Sequence, residues 1–290
     1  MIRILADSTC DLTADLVEKY KIEIIPLFVR LGDEEYLDGV NITPDELYKW
    51  SDEHESTPKT AAPGVDAIMD ILSANREDEY IIFTISASMS ACFNNCRLAA
   101  EELGMEDRVR VIDSENLSTG IGLLIIEAAV RRNEMCSKGD IDEKQAADDV
   151  AEYVLNLRSR VRASFVVDTL TYLYRGGRCS GLAALFGNAL KLHPRIAVVD
   201  GAMRPEQKYR GRLSKVIMDY AKDMEQAYLK AKPDRVFITH SGCDENIIMS
   251  VRQYLEGLGC FDEILETRAG SVISSHCGPG TLGVLFIAGQ

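Results

Sequence analysis

Three times in its first half this chain repeats one figure: a short, nearly unbroken apolar run, a polar turn, and then a helix pattern. IRILADST (2–9) leads into TADLVEKYK, YIIFTISAS (80–88) into ACFNNCRLAAEEL, and VRVIDSENLS (109–118) into GIGLLIIEAAVRR. Runs this short and this apolar fit strands covered by helices on both faces, which is the condition of a parallel sheet. In such sheets ligands bind beyond the carboxyl ends of the strands. The polar ends Asp7-Ser8, Ser86-Ser88-Ser90 and Asp113-Ser114 are therefore expected to line one crevice.

The intervening and later segments follow other patterns. Residues 22–43 suggest two strands about a Gly32-Asp33 turn, followed by a helix capped by Thr43 with Pro44 at its first position. Residues 55–66 (ESTPKTAAPGVD) suggest a loop, which makes Thr60 a loop threonine. Beyond a long helical stretch at 143–161, short strands alternate with helices. The strands are expected at RIAVVDG, AMRPEQKYRG, RVFITHSG, EILETRAG, SVISSH and TLGVLFIAG; the helices include LAALFGNAL (182–190) and residues 214–230. The expected class is α/β with two domains. Residues 1–160 form a three-layer α/β/α unit with a parallel sheet, and residues 161–290 a two-layer α/β unit with a mixed sheet.

Composition narrows the function. The net charge of −14 over 290 residues repels phosphate backbones and anionic lipid surfaces, so no nucleic-acid partner is expected. No apolar run reaches the ~18–20 residues of a membrane span, so no integral membrane segment is expected. The opening MIRILADSTCDL lacks a basic-then-apolar signal pattern, and the eight cysteines contain no CxxC pair. The expectation is a cytoplasmic protein with reduced thiols. No HExxH or HxxxH accompanies the cysteines, so no metal is expected. GxxxxGK[ST] and GxSxG are both absent.

A few residues carry candidate chemistry. Ser90 stands between a strand and a helix, where unpaired amides and the helix dipole favour an anion; simple helix capping by Ser88 or Ser90 is the plainer reading. The GGR of 176–178 reads as a tight turn before a helix, with Arg178 paired to a carboxylate; without a Walker loop a nucleotide site there has little support. His276, one of four histidines, precedes the turn Gly278-Pro279-Gly280. A catalytic base, including a Ser90–His276 triad, a metal ligand, a phosphate or carboxylate partner and a packed bystander all remain open for it.

Taken together, DST near the start, PKTxxP at 58–63, the serine block at 86–90, VIDS at 111–114, LxYLxRGGR at 170–178, DGxxxxxxKxRG at 200–211 and SxHxGPGTLG at 274–283 resemble the DegV family along the whole chain. That resemblance implies a long-chain fatty acid as ligand, no other cofactor, and no catalysis by this chain. It implies that Thr60, Ser90 and His276 meet the fatty-acid carboxylate, with the helix start at Ala91 and Cys92 in support. It also implies a partner, an ATP-dependent fatty acid kinase subunit that phosphorylates the carboxylate, with Arg178 and Arg210 at family-matching positions that face that partner or the incoming phosphate. Where the family commonly has TSQPS and LSGTY, this chain has TAAPG and MSACF, so Ala61, Ala91, Cys92 and Phe93 make the expected pocket entrance more apolar. The rival reading is an enzyme, either a Ser-His lipid hydrolase or a phosphotransferase similar to dihydroxyacetone kinase.

Overall fold

The computed structural model describes residues 1–137, 139, 141–179 and 192–289. The expected helix at 182–190 lies outside the described residues. Strands β1 (Ile2–Asp7), β2 (Ile22–Ile25), β6 (Glu79–Thr84) and β7 (Val109–Asp113) pair in the order β2-β1-β6-β7, every pair parallel. All six residues of β6 are buried, as a central strand covered on both faces requires. Helices α3 (Val65–Ser73) and α4 (Cys92–Glu102) cover one face through Ile68, Leu72, Cys96 and Ala99. Helices α5 (Thr119–Cys136) and α6 (Glu143–Arg158) cover the other.

The second sheet is mixed. It runs β10 (Ala202–Arg210), β9 (Leu192–Val199), β8 (Val161–Val166), β13 (Leu282–Ala288), β11 (Ala231–His240), β12 (Glu263–Arg268). Only β11 and β12 pair in parallel. Helices α8 (Leu213–Asp223) and α10 (Glu245–Leu258) pack on one face around Tyr220, Val236, Val284 and Phe286. The other face meets α5. That explains why α5 has no polar side from Ile121 to Ala129 apart from Glu127: it is wrapped by both sheets.

Two local expectations change. The first half of the 22–43 segment divides at Pro26. Residues 22–25 join the parallel sheet as β2, and β3 (Phe28–Leu31) turns at Gly32-Asp33 into β4 (Glu34–Leu37). A third strand, β5 (Lys59–Ala61), pairs antiparallel with β3, so Thr60 is a strand residue opposite Val29 and not part of a loop. SVISSH is not a strand. Residues Ser271–Cys277 form helix α11, with His276 in its last turn. Its first amides are taken by buried carboxylates from distant segments: Gly270 N donates to Asp11 at 2.8 Å and Ser271 N to Asp38 at 2.7 Å. Ser274 and Ser275 turn their hydroxyls onto the backbone carbonyls of Ala269 and Val272. Alternation of small polar and β-branched residues favours a strand locally, and these tertiary caps override it.

Candidate functional site

Chain order reverses between β1 and β6, so the crevice beyond their carboxyl ends is the switch point of the parallel sheet. Most of the polar strand ends expected there are structural. Asp7 accepts the amides of Thr9 and Ile85, and Asp113 those of Ala87 and Glu115. Ser86 and Ser88 both donate to the carbonyl of Gly201 in the β9–β10 turn, which ties the two sheets together. Burial raises Asp7 to about 6, and it also raises Asp11 and Asp38 above the usual carboxylate range.

What opens at this point is a cavity of about 200 Å³ lined by residues of both units. Leu27, Ile85, Met89, Leu117, Met203, Val272 and Ile273 make its apolar wall. Thr60, Ser90, His276 and Arg178 supply its polar groups. Larger clefts exist, among them one of about 440 Å³ beside Arg158, Arg162 and Arg195. That cleft is lined by Glu115, Asp200, Glu206 and Asp223 as well as the arginines, and it does not offer the apolar wall with one polar end that a lipid requires.

Thr60 and His276 are joined directly, Oγ1 to Nε2 at 2.8 Å, across 216 residues of sequence. Edge strand β5 brings Thr60 to the cavity, and the last turn of α11 brings His276. Among the described residues, His276 Nδ1 is buried without a hydrogen-bond partner. Beside it lies Gly176 at the end of α7 (Thr171–Gly176), where a Cβ would come within 2.4 Å of Nδ1. Here glycine leaves room for the ring. An orphan Nδ1 is cheaper as a bare acceptor than as an N–H, so the proton belongs on Nε2. Nε2–H then donates to Thr60, which frees the threonine hydroxyl to donate into the cavity. Burial, and second the Arg178 guanidinium, pull His276 down to about 4, so the ring is neutral at neutral pH.

Ser90 lines the same cavity, but its hydroxyl bonds locally. It accepts from Cys92 N at 3.3 Å and contacts Cys92 Sγ at 3.2 Å. The Cys92 amide is thus already occupied by the Ser90 hydroxyl, and Ala91 lines the cavity as a small apolar surface. Ser90 donates to the Cys92 sulfur and His276 pairs with Thr60, an arrangement different from a serine nucleophile on a histidine base. Arg178 is exposed, donates one N–H to Gly176 O at 2.7 Å, and stands at the cavity mouth. Arg210 is exposed at the end of β10 and is not part of the lining. Of the family departures, Ala61 lines the cavity, Cys92 is buried, and Phe93 lies under the Arg97 guanidinium. The apolar residues Leu27, Met89 and Met203 escaped the sequence reading because nothing local distinguishes a cavity wall from core.

The turn after His276 is built on glycine for two reasons. Gly278 has φ +76°, and a Cβ there would meet the Tyr172 ring at 2.6 Å. Among the described residues no group of three metal-ligating side chains comes together, and no helix is long and apolar enough to cross a membrane.

A family model described as "Uncharacterised protein, DegV family" matches residues 1–289. A DegV domain-containing protein of Clostridium perfringens is 29% identical over 288 residues, 99% of this chain and 98% of that one. Among solved structures, a fatty-acid-binding DegV family protein from Thermus thermophilus superposes with a TM-score of 0.87 at 30% identity, covering 99% of each chain. A stearic-acid-binding protein from Eubacterium ventriosum gives a TM-score of 0.80 at 28% identity, covering 99% of this chain and 98% of its own.

Proposed function

The chain belongs to the DegV family, and from that premise we propose that it is a long-chain fatty-acid carrier without catalytic activity of its own, working in the cytoplasm. The observation that carries the reading is the cavity itself. One end is apolar, and the other holds the linked pair Thr60–His276, the Ser90 hydroxyl and the cation Arg178. A fatty acid makes two opposed demands that this arrangement meets. Each buried methylene contributes ~0.8 kcal/mol, but a bare buried carboxylate is prohibitive. Thr60 donates its hydroxyl hydrogen to the carboxylate, Ser90 turns its own away from the weak Cys92 sulfur acceptor to do the same, and Arg178 neutralises it at the mouth. Charge-assisted hydrogen bonds of this kind are the stronger class.

The test is mild purification, denaturation, solvent extraction and mass spectrometry of what is released. One fatty acid per chain is expected; no lipid, and none taken up when hexadecanoate is offered, would end the carrier reading. Thr60→Val keeps the shape and removes the donor. It is expected to weaken hexadecanoate binding at least about tenfold, the equivalent of a hydrogen bond to a charged group.

Binding is also expected to depend on pH in a defined sense. A carboxylate placed near His276 raises the ring from about 4 in the ligand-free protein. Binding then takes up protons, so this contribution to affinity grows as pH falls from neutral towards 4 and fades as pH rises through the bound-state value. Protonation of the acid in water works the other way, so the measurement is a comparison. Calorimetry at pH 6 in two buffers of different ionisation enthalpy should show proton uptake in the parent and markedly less in His276→Gln. Equal uptake in both would remove His276 from the head-group site.

In this reading the held carboxylate is the substrate of a separate ATP-dependent fatty acid kinase subunit, with Arg178, and Arg210 further out, facing that subunit or the phosphate it transfers. Loaded carrier plus the kinase subunit and ATP should yield acyl phosphate, trapped as the hydroxamate, and loaded carrier plus ATP alone should yield none.

A further inference from the structure

The cavity at Thr60 and His276 is too small for the ligand that its chemistry suits. Its volume of about 200 Å³ is only a little above the roughly 150 Å³ of an apolar cavity that takes one benzene, so it accepts an acyl segment of about eight carbons. Leu117, Ile273 and Cys277, all buried, belong to its lining. The same three side chains also line a second cavity of about 30 Å³, so they lie between the two. Phe165 of β8 and Leu285 of β13 line the second cavity and not the first.

The hydroxyls on this second cavity are already engaged. Thr239 bonds Thr119 and Thr267, Ser241 donates to Gly278 O, and Thr281 donates to Cys277 O. What remains facing the space is hydrocarbon. A small apolar void in line with an apolar cavity, separated from it by one layer of side chains, is the natural continuation of a tunnel.

We propose that Leu117, Ile273 and Cys277 form a septum that sets which acyl lengths this chain accepts. Acids up to about eight carbons fit in front of it. Longer chains pass by turning Leu117 aside, which opens its side-chain space into the second cavity, and lay the next few carbons of their tails against Phe165 and Leu285. Leu117 is the member that moves. It sits in the 115–118 turn, between Glu115 and Ser118, which have φ of +50° and +53°, outside any helix or strand, and its χ1 is not locked by β-branching as that of Ile273 is. Ile273 is held on α11, whose amides are fixed by Asp11 and Asp38.

The inference rests on the carrier reading, and its test separates the two. Octanoate and hexadecanoate are titrated calorimetrically into the parent, Leu117→Ala, Leu117→Phe and Ile273→Val. Thinning the septum with Leu117→Ala should raise the hexadecanoate-to-octanoate affinity ratio about fivefold, and thickening it with Leu117→Phe should lower that ratio at least about tenfold. Octanoate meets the septum only with its terminal carbons, so it serves as the internal reference and the reading is the ratio of the two affinities. Ile273→Val removes one methyl and keeps the fold if Leu117→Ala does not; it should shift the ratio in the same direction as Leu117→Ala. A ratio unmoved in every folded variant overturns the septum and leaves the carrier standing. Failure of the parent to bind either acid overturns both.

Discussion

Gly176→Ala should weaken hexadecanoate binding by at least about tenfold and leave binding of hexadecanoate methyl ester nearly unchanged. The new Cβ would lie 2.4 Å from His276 Nδ1, a separation that no packed pair sustains. The ring gives way, and with it goes the 2.8 Å bond that orients the Thr60 hydroxyl. The ester probe isolates the head group, since it shares the acyl chain and lacks the charge. Helix propensity favours alanine over glycine by about 1 kcal/mol, so global stability should change little. The neighbouring Gly177 is the control. It has φ +67° and open space around its Cβ position, so Gly177→Ala strains the backbone without touching His276. It should lower the melting temperature and preserve the acid-to-ester ratio. In a His276→Ala background, Gly176→Ala should have no further effect on that ratio. An undiminished ratio in Gly176→Ala alone would mean that His276 does not act on the carboxylate.

The second large effect concerns the junction of the two sheets. Glu127 is buried in the middle of α5, accepts the Tyr153 hydroxyl at 2.7 Å, and meets Lys232 at 3.0 Å and Arg235 at 2.7 Å on β11. Burial opposes its ionisation, but the tyrosine, lysine and arginine outweigh it and hold its carboxyl below the usual range. Removing one partner from such a group leaves the other charges buried without compensation, which costs ~3–5 kcal/mol. Asp234 still faces Lys232 and Glu263 still faces Arg235, so the loss in Glu127→Ala should fall near the lower end, about 3 kcal/mol. That corresponds to a melting temperature lower by roughly 6–10 °C. The exposed helical pair Lys49–Glu53 gives the contrast. Glu53→Ala should shift stability by less than about 0.5 kcal/mol. Similar losses from the two variants, measured by calorimetry, would show that the α5–β11 cluster does not hold the sheets together.

How far the site could be read without coordinates differs residue by residue. Ser90 was placed at a strand-to-helix turn by pattern alone, because a buried parallel strand and the helix that follows it have unmistakably different spacings. In the fold its hydroxyl accepts the Cys92 amide from one residue before the cap position, which Ala91 occupies. Thr60 offered no local signal. Three residues of β5 form a strand only because β3 lies alongside to pair with them. The local pattern around His276 favours a strand, and a helix forms there for the same kind of reason. The carboxylates that stabilise α11 lie 259 and 233 residues away in sequence, at Asp11 and Asp38. Gly176, which shapes the space around the histidine, looked like one more turn glycine.

The order of parallel strands and covering helices, the absence of a membrane-crossing helix among the described residues, and the family were determined by the amino-acid sequence itself, because apolar periodicity and ordered motifs are local properties of a chain. Which polar groups share one cavity, how deep that cavity runs before Leu117 closes it, and which carboxylates serve helix ends were decided only in the folded molecule. Those are distances between segments hundreds of residues apart, and packing alone sets them.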